Sequence, residues 1–310
     1  MLGYSGLSRA RLNGRMVGSV ERIEQELATL DKATGAIADE FYNAYSSYLA
    51  VLGQAVRQQL IFASYHVCTQ GYPESFLKLS YSQRQQLQQR LRTLSQQVQE
   101  EVLAQLHVPV VIDDPDVEPG VSLPVMDELT ALDSLPSTPS PVPVVSPVPS
   151  PAEPRSLTPV DLARWHEELE HAIVAELKTA SHAANRLLQQ ANILPPKLPE
   201  PVLEAAAKAD LSDARVGTPN LLNLLVETGG KTAEKDDDDE SPKHSVMHIV
   251  AICLRLAEIE FAAPTVTAAR SKIRSLFAQL KTLGREYQKK QRERSVAEAQ
   301  AAWRSTWTED

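Results

Sequence analysis

Apolar side chains recur from Val20 through Ile23, Leu27, Leu30, Ile37, Phe41, Tyr45, Tyr48, Leu52, Val56 and Leu60 to Val67, with Thr34 filling one gap. The steps are three, four or their sum, which keeps one stripe on one face of a helix and is incompatible with the two-residue period of a strand. Ser19 is the expected N-cap, and Gly71 before Tyr72-Pro73 the expected stop. A helix of about fifty residues spans roughly 75 Å. Gly35 and Gly53 lie inside it and are the places where a bend is expected.

Pro73 opens a short helical turn, PESFLKL, and Ser82-x-x-Gln85 has the pattern of a capping box for the next helix. The stripe of that helix is Leu87, Leu91, Leu94, Val98, Val102 and Leu106, and Pro109 ends it. The two long helices are expected to fold back as an antiparallel hairpin. One hairpin leaves its apolar stripe thinly covered, so a second copy, a second module or a partner is required.

Thirteen of the 21 prolines fall between Pro109 and Pro159. Such a segment lacks the backbone donors for sheet or helix and is read as an extended, disordered linker. Within it, Met126, Leu129, Leu132 and Leu135 recur every third residue beside Asp127, Glu128 and Asp133. They are either a short docking helix that folds on a partner or a residual apolar patch in the linker.

Thr158-Pro159-x-Asp161 is a helix start. The stripe Leu162, Trp165, Leu169, Ile173, Leu177, Ala180, Ala184, Leu187 and Ala191 follows, ended by Pro195-Pro196. Short helices are expected over 202–209 and 219–227, and a further helix over 245–262. Pro264 separates that one from a last helix running from about Thr265 towards Trp303, buried along Val266, Ile273, Phe277, Leu280, Leu283 and Tyr287. The chain is therefore expected to be all-α: a flexible segment 1–18, a long-helix hairpin or coiled-coil module over 19–108, the acidic Pro-rich linker 109–158, and a second helical module. That module is divided into 159–230, an acidic loop 231–244, and 245–310 with a basic C-terminal helix.

Charge follows these divisions. The net charge of −9 resolves into +1 for residues 1–108, −7 for 109–158, −8 for 159–242 and +5 for 243–310. The acidic balance argues against the whole chain coating nucleic acid, and the acidic middle and basic end attract each other. Two cysteines make no disulfide framework, which fits a reducing, cytoplasmic compartment. The most apolar window, 246–263, contains Arg255, Glu258 and Glu260 and is read as a buried helix of a soluble protein, not a membrane span.

Motifs for chemistry are sparse. LVETGGKT over 225–232 ends like a phosphate-binding loop, but Leu225 stands where that motif needs glycine and an aspartate run follows, so a helix C-cap is the better reading. His166 and His171 are five apart, about 140° round a helix, and cannot share an ion. His244 and His248 have ligand spacing but lack a third ligand on the same element, and 236–239 lack the glycine and alternation of a calcium loop. His66 and Cys68 point to nearly opposite faces of a helix, which excludes a nucleophile pair. No catalytic residue, cofactor, metal ligand or small-molecule substrate is predicted.

The expected mode of action is contact with other proteins, including self-association through residues 20–67. The candidate contact residues are Met126, Leu129, Leu132 and Leu135 in the linker, and Lys289, Lys290, Arg292, Arg294, Trp303 and Trp307 at the basic end. In the latter group Val296, Ala299, Trp303 and Trp307 keep helical spacing. Cations with tryptophan suit an acidic protein surface, an anionic membrane surface or nucleic acid. Tryptophans packed on their own module are the alternative. An enzyme whose site is assembled from scattered helices also stays open. The segments FASYHVCTQGYPESFLKLS (62–80) and EYQKKQRERSVAEAQAAWRSTW (286–307) resemble an uncharacterised helical family of cyanobacteria. The resemblance covers those two stretches and implies a bacterial cytosolic setting, with no activity or site residue.

Overall fold

A computed structural model describes residues 5–109, 156–195, 218–228 and 245–306. The linker group Met126, Leu129, Leu132 and Leu135, the expected helix 202–209, residues 229–244 and Trp307 lie outside the described residues. The fold is all-α. Its helices are α1 (Ser5–His66), α2 (Pro73–Lys78), α3 (Tyr81–Ala104), α4 (Pro159–Gln190), α5 (Leu256–Ala262) and α6 (Pro264–Thr306). A two-stranded antiparallel sheet, β1 (Leu221–Thr228) and β2 (Ser245–Ile252), accompanies them.

The expected long helix is one unbroken element that passes through Gly35 and Gly53. It begins at Ser5, so Ser19 is an interior residue and not a cap. Ile23, Leu27, Thr34, Phe41, Tyr45, Tyr48, Leu52, Val56, Leu60 and Val67 are all buried. Of the three kinds of cover open to the stripe, the chain's own helices supply it. A π-helical turn, Val67–Gly71, ends α1. The next cap sits two residues earlier than the sequence pattern indicated: Gln83 N–H donates to Ser80 Oγ (3.3 Å) and Ser80 N–H to Gln83 Oε1 (2.8 Å). Both frames offer Ser with a glutamine three on; Ser80 wins because Pro73–Lys78 closes as a separate helix just before it.

Helices α1 and α3 form the expected antiparallel hairpin. A Cβ added at Gly53 would lie 3.1 Å from Gln99 Cγ and 3.2 Å from its carbonyl oxygen, and 53 and 99 are equidistant from the turn at residue 76. Gly53 therefore allows two helix backbones to approach closely.

Two expected helices are strands. Residues 219–227 contribute β1, and 245–262 divide into β2, an extended link and α5. Short apolar runs fit a buried strand or a buried helix equally by pattern, and Val246, Ile249, Val250 and Ile252 tip the second run to strand through their branched Cβ atoms. Leu221 pairs with Ile252 and Thr228 with Ser245. The hairpin starts at Asn220, fully buried at φ 60°, a conformation asparagine tolerates better than most residues. Its side chain accepts from Arg255 N–H (3.1 Å) and donates to Gln59 Oε1 (3.1 Å).

A two-stranded ribbon is marginal by itself. Here the edge of β2 facing away from β1 is capped by side chains. Val250 N–H donates to the Tyr72 hydroxyl (3.0 Å), Ile252 N–H to Asn185 Oδ1 (2.9 Å) and Leu254 N–H to Ser181 Oγ (2.9 Å). Asn185 also returns a bond from Nδ2 to the Ile252 carbonyl (2.8 Å). One turn of α4, Ser181 to Asn185, together with Tyr72 thus does part of what a third strand would do, taking up the outward donors of Val250, Ile252 and Leu254.

The chain divides into two compact units: Met1–Ala38, Pro109–Trp165 and Gln279–Asp310 in the first, Asp39–Val108 and His166–Ala278 in the second. α1, α4 and α6 contribute to both. The second unit is centred on Phe41, Tyr45, Tyr48, Leu49, Leu52, Leu169, Ile173 and Leu177, all essentially without solvent exposure. The first holds a smaller cluster in which Ile23 and Leu27 of α1 meet Tyr287 and Ala297 of α6, flanked by Val20 and Leu30.

Candidate functional site

The largest concentration of polar chemistry among the described residues lies inside the second unit. On α1, Tyr45 and Tyr48 sit in the apolar stripe and bring two hydroxyls into the core. Buried tyrosines need partners for those hydroxyls, and distant helices supply them. Tyr45 donates to Glu170 of α4, and its oxygen lies 2.5 Å from Nδ1 of His166. Because the single phenol proton goes to Glu170, Nδ1 of His166 must carry a hydrogen and donate to Tyr45. Tyr48 donates to Glu260 of α5 (2.7 Å).

Arg270 of α6 bridges the two carboxylates. Its guanidinium grips Glu170 with both terminal nitrogens, Nη2 to Oε2 at 2.7 Å, and its Nε lies 3.3 Å from Glu260 Oε1. Its centre lies 5.5 Å from the Tyr48 ring centroid, within cation–π range. Arg274 approaches the other oxygen of Glu260 at 3.8 Å. The rings of Phe41 and Phe277 close over His166, with centroids 5.7 and 4.5 Å away. Glutamate, arginine and tyrosine thus form one chain of bonds: Tyr45–Glu170–Arg270–Glu260–Tyr48.

This environment fixes the protonation states. Burial first, then Glu170, pushes the Tyr45 hydroxyl far above the ordinary phenol range, and burial with Glu260 does the same for Tyr48. Burial opposes the charge on Glu170, but the hydrogen bonds from Arg270 and Tyr45 outweigh it and hold the carboxyl below its usual range. Burial likewise opposes the charge on Arg270, and Glu170 overcomes it. At neutral pH the tyrosines stay neutral donors and the arginine–glutamate pair stays ionised. The cluster joins α1, α4, α5 and α6 through hydrogen bonds and ion pairs, with Arg270 Nε held to Glu260 by charge and not by a hydrogen bond, which is the chemistry of a clasp.

The sequence pointed elsewhere. Lys289, Lys290, Arg292, Arg294 and Trp303 all lie on α6, in the first unit. Lys290 Nζ pairs with Glu26 (2.7 Å) and Glu293 (2.9 Å), and Arg294 with Glu298 (3.0 Å). Lys289 and Arg292 are exposed. Trp303 is 67% exposed, so packing on its own module does not bury it. His171 faces solvent while His166 faces the core. Burial pushes the Cys68 thiol up to about 11, away from the range of a reactive thiolate.

Glu101 of α3 and Glu176 of α4 present their carboxyls to one another; burial, then Glu101, raises Glu176 from 4.5 to about 7. Beside them an open groove of about 430 Å³ runs between α3 and α4, floored by Leu94, Ala183 and Leu187 and flanked by Arg90 and Arg186. Among the described residues no group of three or more His, Cys, Asp or Glu side chains is placed to hold a metal ion, and no helix is long and apolar enough to cross a membrane. Comparison with protein-family models, curated proteins and solved structures finds no match to this chain.

The clasp escaped the sequence reading because its hydrogen-bonded partners are 121, 125 and 212 residues apart. A signal existed: two tyrosines in a core stripe, His166 and Glu170 one turn apart, and Glu260 inside an apolar run.

Proposed function

We propose that this chain is a non-enzymatic helical scaffold or adaptor of the cytoplasm, acting through contacts with other proteins. The observation that carries the reading is a row of large apolar side chains left in water at the closed end of the α1–α3 hairpin. Phe62 is 63% exposed and Tyr65 58%, and both rings rest against His66; Ile61 beside them, Leu77 on α2 and Tyr81 on α3 are also exposed. Scattered exposed apolar residues are ordinary, but aromatics grouped on one end of an element mark contact surfaces. The internal polar groups lend support, since the tyrosine hydroxyls and carboxylates of the clasp are spent on one another and on Arg270. Self-association through residues 20–67, on this view, uses Ile61, Phe62 and Tyr65 and not the buried stripe.

The test is affinity capture with the wild-type chain and with Phe62→Ser/Tyr65→Ser, followed by reconstitution of any captured protein from purified components. A purified partner that binds the wild-type chain and is lost with the variant supports the reading. Equal binding by both removes this surface from it.

A second reading, binding of nucleic acid or an anionic membrane by the C-terminal helix, is favoured by the exposed Lys289, Arg292 and Trp303. Glu286 and Glu293 flank the cations and weigh against it. It requires affinity that falls steeply with salt and is lost on neutralising Lys289 and Arg292.

A further inference from the structure

The face of α6 turned towards α1 is fixed by Tyr287, which is buried against Ile23 and Leu27. Contacts along this seam run in opposite senses: Tyr287 feels the charge of Asp31, Lys290 pairs with Glu26 at 2.7 Å, and Glu293 feels the charge of Arg22. The two helices are therefore antiparallel in the first unit. At about 100° per residue, the positions falling on the opposite side of α6 are Arg285, Lys289, Arg292, Val296, Ala299 and Trp303. All six are exposed, Val296 by 49% and Trp303 by 67%. Their steps are four, three, four, three and four, the spacing of a helix–helix seam sustained over about 27 Å. A flat lipid surface calls for a broad apolar face, whereas here the apolar positions form a narrow line that a helix would cover.

The stripe is also self-complementary. Residues 285 and 303, 289 and 299, and 292 and 296 are equidistant from position 294. Its first half is basic and its second half apolar. We propose that this face of α6 is the contact between two copies of the chain, which pair antiparallel about a two-fold axis at position 294. Arg285 of each copy then lies over Trp303 of the other, a cation–π pairing. The stems of Lys289 and Arg292 cover Ala299 and Val296, long side chains laid over short ones with their charges reaching water. Each contact occurs twice, as an isologous interface requires.

The proposal goes beyond the adaptor reading, and each can fail alone, because the adaptor surface is Phe62 and Tyr65 while this one is the far face of α6. The experiment is sedimentation of the full chain over a concentration series reaching about 100 µM. The expected result is a reversible monomer–dimer equilibrium, weakened at least tenfold by Trp303→Ala and by Arg285→Glu, with the helical circular dichroism unchanged. Orientation is read from cysteine variants. Lys289→Cys and Ala299→Cys should each fail to cross-link through the new cysteine when oxidised alone, and an equal mixture of the two should cross-link between the new cysteines. A monomer throughout the series, a dimer indifferent to both substitutions, or efficient cross-linking of either single variant overturns the proposal. So does an unchanged oligomeric state accompanied by stripe-dependent binding to phosphatidylserine vesicles or to an oligonucleotide.

Discussion

The two compact units contrast in how they are held. In the second, aromatic and aliphatic side chains of α1, α3, α4 and α6 are excluded from water, and the five-residue Tyr–Glu–Arg–Glu–Tyr chain is sunk among them. In the first, Ile23, Leu27, Tyr287 and Ala297 each keep 6–9% exposure, and the flanking pairs Lys290–Glu26 and Arg294–Glu298 sit in solvent. Polar groups placed in the deep core specify which helices meet, whereas the same residue types at a thin seam add little because water and salt screen them. The second unit is held by a deep polar core, the first by a thin seam.

The contrast is sharpest at Arg270. Arg270→Met leaves Glu170 and Glu260 buried without their common cation, and a loss of about 3–5 kcal/mol is expected in denaturant unfolding. Arg270→Met combined with Glu170→Leu should recover much of it, because no carboxylate on α4 is then stranded; failure to recover would mean that the arginine serves something other than the clasp.

Next in size is Asn185→Ala. It strips both hydrogen bonds from the buried Ile252 backbone and should cost about 2–3 kcal/mol, with hydrogen exchange rising first in β2.

A smaller, pH-dependent effect belongs to Glu176. Its carboxyl titrates higher in the folded chain than in the unfolded one, so its contribution is complete below pH 4.5 and lost as pH rises through about 7. Glu176→Gln should therefore raise the midpoint of thermal unfolding by a few degrees at pH 8 and have almost no effect at pH 4, as measured by calorimetry at the two pH values. The smallest effect is expected in the first unit, where Lys290→Ala should leave thermal stability unchanged within measurement. A marked loss there would show that the seam leans on its ion pairs after all.

Much of this architecture is legible in the sequence because helices are local. The three–four spacing of Ile23 to Val67, the Thr158-Pro159 start and the Pro264 break each declare an element within a few residues. Thr158 N–H and hydroxyl both donate to Asp161, at 3.0 and 2.7 Å, as the cap pattern implies. What escapes is set by groups far away in the chain. β2 looks like a helix until Asn185 and Ser181, 67 and 73 residues distant, are seen to complete its edge. Tyr45 and Tyr48 look like core residues, and they are; that they anchor a buried ionic chain depends on Glu170, Glu260 and Arg270, whose charges give no local sign of burial. The two outward lines, Phe62 with Tyr65 and Arg285 to Trp303, show the converse. Spacing reveals a stripe, and only packing says whether it is already covered.

Native-state hydrogen exchange resolved by residue tests the contrast most directly. Amides at 41–60 and 166–188 should exchange only through global unfolding, while those at 20–34 and 283–300 should open at distinctly lower free energy, and Arg270→Met should bring the first set down to the second. Uniform protection across all four segments, or a first set that already exchanges as readily as the second in the wild-type chain, would contradict the account.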